Sequence, residues 1–226
     1  MSNILSKILV LGVAATGCLQ AVQAQYVNTT AQENPEYVKV IQGRVAKIVQ
    51  PLKLSDATSR EAVARVIEQQ YFDLNRIDSV KQSELQQIKS SQLSKDVQKD
   101  SVAAITQRAE QRVAVLHPQF ISRLKDLLDE AQVTEVKDGL TYHVVEVTYR
   151  AYTDMLPNLT VEQKKQIKDW LIEAREHAMD AGSSKEKHAW FGKYKGRINN
   201  YLSTQGVDMK AAEADWQKRR EAAAAK

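Results

Sequence analysis

The side chains best suited to chemistry lie in the last third of the sequence. This region carries two histidines, His177 and His188, and the adjacent rings of Trp190 and Phe191. The basic residues from 183 to 202 are Lys185, Lys187, Lys193, Lys195 and Arg197, against Glu186 as the one acidic residue. A protein core does not need such groups, whereas a site for a polar ligand does. The imbalance of charge predicts that an anionic or hydroxyl-rich ligand binds here.

Helical spacing divides the segment from 184 to 202 into two faces. One face is expected to pack in the core and carries Trp190, Tyr194, Ile198 and Tyr201. The other carries His188, Gly192, Lys195, Gly196 and Asn199. Each glycine inside a helix costs about 1 kcal/mol relative to alanine. The second face is therefore expected to admit either a closely packed helix or a ligand.

A polar edge on the preceding part of the chain can complete a cleft with this face. Tyr142 and His143 carry that edge on a predicted helix from 140 to 156, although a plain solvated edge is the alternative. Trp190, Phe191 or Tyr194 is expected to offer a ring face to a sugar. The candidate ligand-binding residues are Tyr142, His143, Lys185, His188, Lys195, Arg197, Asn199 and Asn200.

An acidic stripe with one histidine precedes the basic segment and consists of Glu173, Glu176, His177 and Asp180. A Glu-x-x-x-His pair can hold a metal ion, but zinc needs a third and a fourth ligand. The spacing favours a solvated acidic face with i,i+4 pairing to basic residues. We therefore expect no metal site and no other cofactor.

The common catalytic signatures are missing from the sequence. It has no Gly-x-Ser-x-Gly elbow, no Gly-x-x-x-x-Gly-Lys phosphate loop, no Gly-x-Gly-x-x-Gly and no His-Glu-x-x-His. Ser183 or Ser184 beside His177 or His188 would be a poor nucleophile and base, because sequence neighbours at a helix junction rarely form a triad. Whether the protein is an enzyme stays open at this level.

The N-terminus predicts export. Lys7 is followed by an apolar run from 8 to 15 and by small residues ending at Ala24, the pattern of a secretory signal peptide over 1–24. Cleavage before Gln25 would leave a mature chain without cysteine; lipidation at Cys18 is the alternative. The expected location is periplasmic or extracellular, and no later stretch has the roughly 20 apolar residues of a membrane-spanning helix. The net charge of +4 is small for 226 residues, so no nucleic-acid partner is expected.

Composition and periodicity predict an all-α, single-domain multi-helix bundle. Glycine and proline are scarce, at 8 and 4 residues, and aromatic residues are 6% of the chain. The domain is expected over 34–226, after a flexible segment at 25–33. Residues 79 to 100 are polar and predict a long solvated helix or a loosely packed pair of helices.

Local signals predict where the helices begin and end. Starts are expected at Asn34-Pro35, at a capping box of Thr58 with Glu61, at Thr160 with Gln163, and at Ser183 or Ser184. Ends are expected at Pro51, His117-Pro118, Asp138-Gly139, Pro157, Gly182 and Gly206, and a terminal helix is expected from 208 onward.

Several runs of residues carry a family resemblance that is sharpest from 140 to 209. They include Met155-Leu156-Pro157, Glu173-Ala174-Arg175-Glu176, Ala178-Met179-Asp180, and Phe191-Gly192-Lys193-Tyr194-Lys195-Gly196-Arg197-Ile198-Asn199-Asn200-Tyr201-Leu202. In these runs the chain resembles the secreted Bacteroidetes family catalogued as domain of unknown function 3826. The resemblance implies a role in glycan utilisation and sugar binding, and it supplies no catalytic residues.

Two main hypotheses follow. The first is a secreted or periplasmic carbohydrate-binding accessory protein for an acidic or pectic glycan fragment, whose carboxylate would meet Lys or Arg. The second is an enzyme such as a lyase on uronate-containing saccharides, in which Lys or Arg neutralises the carboxylate while Tyr or His removes the α-proton. A helical protein that only docks a partner is the third possibility.

Overall fold

The computed structural model describes residues 33–224, and this part of the chain contains eight α-helices and no strand. The all-α single domain predicted from the sequence is confirmed. The helices are α1 (Pro35–Val49), α2 (Ala57–Ser90), α3 (Lys95–Lys125), α4 (Glu130–Leu140), α5 (Val144–Met155), α6 (Val161–Ala178), α7 (Ser184–Thr204) and α8 (Met209–Ala224), with a 3-10 turn at Gln50–Leu52 after α1. The predicted signal peptide, Cys18 and nearly all of the segment 25–33 lie outside the described residues.

Two hydrophobic clusters organise the fold. The first joins α1, the inner half of α2, the end of α3 and α4, and its fully buried members include Ile41, Ile67 and Phe120. The second joins α5, α6 and α7 around residues such as Leu171 and Ile198. The two clusters meet at the end of α6, because Ala178 belongs to the second cluster and Met179 to the first.

α2 and α3 form a long antiparallel hairpin that reaches beyond both clusters. Between residues 75 and 104 neither helix buries a side chain. The outer part is joined by contacts such as the ion pair of Arg108 with Glu84, at 2.9 Å. The predicted solvated region from 79 to 100 is thus the tip of this hairpin, with α2 ending at Ser90 and α3 beginning at Lys95.

Most of the predicted helix starts are confirmed because capping is local. Asn34 caps α1 with Pro35 in its first turn, and the Thr160 and Ser183 capping boxes begin α6 and α7. The predicted capping box at Thr58 is wrong. Asp56 caps α2 instead, since its carboxylate accepts a hydrogen bond from the Ser59 N–H at 2.7 Å.

The helix end predicted at His117-Pro118 is also wrong, whereas the end predicted at Asp138-Gly139 is confirmed to within one residue. α3 continues through Pro118, because buried Leu116 and Phe120 on either side hold the helix together against the local preference of proline. Gly139 lies inside α4, where an added Cβ would come within 3.1 Å of Ile48 Cγ1. This glycine therefore permits close packing of α4 on α1.

The C-terminal helix α8 is held to the end of α5. The Trp216 indole N–H donates to the Asp154 carboxylate at 2.9 Å, and the Arg219 guanidinium donates to the carbonyls of Asp154 and Met155. Arg219 thereby satisfies carbonyl groups that the end of α5 leaves without helical partners. None of the helices within 33–224 is long and apolar enough to cross a membrane.

Candidate functional site

A cleft of about 750 Å³ lies between the α2–α3 hairpin and the junction of α6 with α7. One wall is largely apolar and comes from the hairpin through residues such as Leu74, Ile77 and Val113. The other wall is polar. It carries Glu176, His177, Asp180, Glu186 and Trp190, and the hairpin wall adds the polar side chains of Asp78, Lys81, Glu110 and His117.

A histidine–carboxylate pair lies at the inner side of the cleft. His117 of α3 and Asp180, just after α6, approach to 2.6 Å between Nδ1 and Oδ2. The second oxygen of Asp180 accepts a hydrogen bond from the Gln70 amide at 3.3 Å. The hydrogen bond to Asp180 raises the pKa of His117, against the opposing effect of burial. Asp180 therefore fixes the orientation of the imidazole and favours its charged form.

A second carboxylate, Glu176, extends this network. Its Oε2 lies 4.0 Å from His117 Nε2 and accepts a hydrogen bond from the Lys137 ammonium at 2.7 Å. Its Oε1 lies 3.0 Å from the guanidinium of Arg175, which also contacts Asp138 at 2.9 Å. Burial raises the pKa of Glu176, but the hydrogen bonds from Lys137 and Arg175 outweigh that effect and lower it overall. Glu176 is therefore an anion held by two cations.

The outer end of the cleft is closed by a tight contact between the α6–α7 connection and α2. A Cβ at Gly182 would lie 3.1 Å from Asp78 Cβ, a tight contact that glycine avoids. Lys81 Nζ lies 3.1 Å from Asp78 and 3.8 Å from Glu186. The lysine thus forms ion pairs with two carboxylates and links the hairpin to the first turn of α7.

Aromatic rings complete the polar wall. His177 stacks on Trp190 with ring centroids 4.4 Å apart and an interplanar angle of 15°. The ammonium of Lys193 lies 4.9 Å from the Trp190 centroid. The indole therefore has a fixed orientation beside the cleft.

The charge of the cleft is dominated by carboxylates. Asp78, Glu110, Glu176, Asp180 and Glu186 line it, whereas the lining cations are Lys81 and the charged form of His117. Glu110 has no ion pair or hydrogen bond within the described part of the chain. An uncompensated carboxylate on a cleft wall is free to accept hydrogen bonds from a ligand.

The His117–Asp180 pair makes a pH dependence of stability measurable. A raised folded-state pKa stabilises the fold fully below the unfolded-state value of about 6.5, and this contribution is lost as the pH rises through the folded value. We expect the melting temperature of wild type to exceed that of His117→Gln most near pH 6, and the difference to shrink toward about pH 9. Circular dichroism melts of both proteins across this range measure it; a constant difference contradicts the assignment.

The structure brings together only some of the residues predicted to bind ligand. Tyr142 stacks on His188, with centroids 5.6 Å apart. Farther along α7, the Tyr152 hydroxyl of α5 donates to Asn199 Oδ1 at 2.6 Å and contacts the Lys195 carbonyl at 3.3 Å. These side chains follow one side of α7, away from the cleft.

The other predicted residues lie apart from this line. The Arg197 guanidinium lies 4.5 Å from the Trp170 ring centroid and 3.5 Å from Glu173. His143 is 3.9 Å from Glu135. Lys185 and Asn200 are exposed.

Two residues of the basic, aromatic segment are buried rather than available to a ligand. Phe191 is 2% exposed and belongs to the second hydrophobic cluster, so it offers no ring face to a sugar. Lys187 is 5% exposed and donates to the Met179 carbonyl at 3.0 Å. Burial lowers the pKa of Lys187 to about 8. The buried face of α7 is therefore Lys187, Phe191, Tyr194, Ile198 and Leu202, with Trp190 and Tyr201 at its margins.

The glycines of α7 do not admit a neighbouring helix. A Cβ added at Gly192 or Gly196 meets no atom within 4 Å. Of the two explanations predicted for these glycines, helix packing is excluded among the described residues.

Sequence analysis missed the cleft because its parts are distant in the chain. His117 and Asp180 are 63 positions apart, and Glu110 lies on a helix with weak apolar periodicity. The acidic stripe was recognised, but its members have separate partners: the Glu173 carboxylate accepts a hydrogen bond from the Tyr194 hydroxyl at 2.7 Å. Within 33–224 no group of three or more His, Cys, Asp or Glu side chains is arranged to hold a metal ion.

Comparison with known proteins identifies the family of this chain. No curated protein matches the chain. The profile of the family described as "Protein of unknown function (DUF3826)" matches residues 38–222, which include every helix around the cleft. The protein belongs to the DUF3826 family.

Proposed function

We propose that the protein binds a neutral glycan fragment in the cleft between the α2–α3 hairpin and the α6–α7 junction. The observation that carries this proposal is a cleft in which apolar side chains of the hairpin lie beside carboxylates from both walls. A saccharide has the matching chemistry, because its C–H surfaces pack on apolar side chains while its hydroxyls donate hydrogen bonds to carboxylates. Glu110, which has no partner in the described chain, is the first acceptor we assign to a sugar hydroxyl.

The charge of the cleft favours a neutral sugar over the acidic glycan predicted from the sequence. A uronate carboxylate entering the cleft would meet Glu110 and Glu186, and like charges placed together oppose binding. The cations beside the cleft do not offset this, because Lys81, Lys137 and Arg175 already contact carboxylates. Preference for an acidic glycan stays a prediction, and the cleft does not support it.

Filling the cleft should abolish binding without unfolding the protein. Ala114 is exposed and lines the cleft, so Ala114→Phe places a ring where the ligand would lie. We expect affinity for neutral oligosaccharides to fall by about tenfold or more, since displaced contacts of 1.4 kcal/mol already give that factor. Calorimetry against galacto-, xylo- and arabino-oligosaccharides measures it.

A matched control comes from the same helix. Ala103→Phe adds the same ring at an exposed position that does not line the cleft, and its affinity should equal that of wild type. Absence of binding by wild type, or equal affinity of the Ala114 and Ala103 variants, overturns the proposal.

The His117–Asp180 pair favours a second candidate, an enzyme acting on the bound glycan. A histidine held by a carboxylate can transfer protons during bond cleavage. A uronate lyase also needs a cation for the substrate carboxylate, and Lys81 is engaged by Asp78 and Glu186. The absorbance of unsaturated sugars, followed for wild type and His117→Gln on pectic substrates, tests this activity; product from wild type that the variant does not form would favour the enzyme.

A further inference from the structure

The end of α4 has an unusual residue in a position that normally requires glycine. The His143 N–H donates to the Asp138 carbonyl at 2.8 Å and the Tyr142 N–H to the Gly139 carbonyl at 3.3 Å, the hydrogen-bond pattern of a Schellman motif. Tyr142 and His143 both have positive φ, at 59° and 54°. A bulky residue in this conformation is strained, and such strain persists where the side chain has another role.

The strained tyrosine presents an aromatic surface. Its side chain is 44% exposed, and its ring stacks on His188 at an interplanar angle of 27°. His188 Nδ1 lies 2.8 Å from the Ser184 carbonyl, so the neutral imidazole has its proton on Nδ1 and keeps Nε2 as an acceptor. The Tyr142 hydroxyl has no hydrogen-bond partner within residues 33–224. The ring pair therefore offers a flat surface together with two polar groups that no protein contact uses.

An open strip of α7 continues from the ring pair. Lys185, His188, Gly192 and Lys195 recur at intervals of three and four and so lie on one side of the helix. The glycines at 192 and 196 leave the backbone bare, and no neighbouring side chain requires them. Glycine is unfavourable inside a helix and tyrosine is unfavourable at positive φ, yet both occur on this surface. Packing against neighbouring residues explains neither.

Exposed cations lie on this strip. Lys185 and Lys195 are exposed and form no ion pair within the described residues. The carboxylate of Glu135 faces His143 at 3.9 Å. The two lysines therefore give this side of α7 a positive charge, whereas carboxylates dominate the lining of the cleft.

We propose that the Tyr142–His188 ring pair and the adjoining strip of α7 form a second saccharide-binding surface, separate from the cleft, for a sugar ring that carries a carboxylate. The Tyr142 ring packs on the C–H face of the sugar, as aromatic side chains do with flat apolar surfaces. His188 Nε2 accepts a hydrogen bond from a hydroxyl, and the exposed cations attract the carboxylate. The proposal does not depend on binding in the cleft.

Tyr142→Gly separates a binding role from a structural one, because it should raise the melting temperature and weaken ligand binding. Glycine relieves the strain at the end of α4, so the melting temperature should rise. Loss of the ring should weaken binding of trigalacturonate by about tenfold or more. Tyr142→Phe keeps the ring and should retain most of the affinity. Thermal melts and calorimetry on the same preparations give both readouts.

The two sites are told apart by crossing variants with probes. Tyr142→Gly should lose trigalacturonate and keep neutral galactotriose, whereas Ala114→Phe should show the reverse. Trigalacturonate binding that survives Tyr142→Gly, or a fall in the melting temperature of that variant, overturns the inference. Loss of galactotriose binding alone would count against the cleft and leave this surface standing.

Discussion

Phe191→Ala should lower the free energy of unfolding by about 3–5 kcal/mol, the range for removing a buried phenylalanine ring. The ring is 2% exposed and lies in the second hydrophobic cluster between α6 and α7. Its removal leaves a cavity that the surrounding side chains can fill only in part. Urea unfolding followed by circular dichroism measures the loss.

The neighbouring Trp190 serves as the control. It is half-buried and stacks on His177 at the edge of the cleft, so Trp190→Ala should destabilise the fold less than Phe191→Ala. If Phe191→Ala unfolds at the same urea concentration as wild type, the assignment of Phe191 to the core is wrong and the ring is again available to a ligand.

Arg175→Met should destabilise the protein by about 1–3 kcal/mol, because it leaves the partly buried Asp138 carboxylate without its cation, whereas Glu176 keeps Lys137. The Arg175 side chain is 8% exposed and contacts Asp138 of α4 and Glu176 of α6. Methionine fills a similar volume, so the loss reports charge rather than a cavity. Urea unfolding at neutral pH gives the value.

The double variant Arg175→Met with Asp138→Asn tests the cause. When Asp138 is replaced by Asn, removing the guanidinium no longer leaves an unpaired carboxylate at position 138. The double variant should therefore lose less stability than the sum of the losses of the two single variants. Strict additivity would show that Arg175 acts through its apolar stem alone.

Features that depend on neighbouring residues were predictable from the sequence. The starts of α1, α6 and α7 follow from side chains that bind N–H groups two or three positions on. Pro118 misled because tertiary packing overrides local preference there, with buried Phe120 holding α3 together. The end predicted at Asp138-Gly139 falls one residue before the last residue of α4, Leu140.

The candidate site was predictable only where it lies on one helix. The face of α7 with His188 and Lys195 follows from spacing, and these residues are exposed in the structure. The burial of Lys187 is not visible in a sequence, because it depends on the Met179 carbonyl that the end of α6 leaves without a partner. The cleft is lined by four helices, α2, α3, α6 and α7, and the contact of His117 with Asp180 depends on their tertiary packing.

The two walls of the cleft differ in how they are supported by the hydrophobic clusters. The wall with Glu176 and Asp180 stands where both hydrophobic clusters meet. The wall with Ile77 and Lys81 lies past Leu74, the last buried residue of α2, and is supported mainly by its partner helix. Ile77 and Lys81 belong to neither cluster, so the ion pairs of Lys81 and the close contact of Gly182 with Asp78 are what hold this wall to the α6–α7 junction. Opening of these contacts would widen the cleft without loss of core packing.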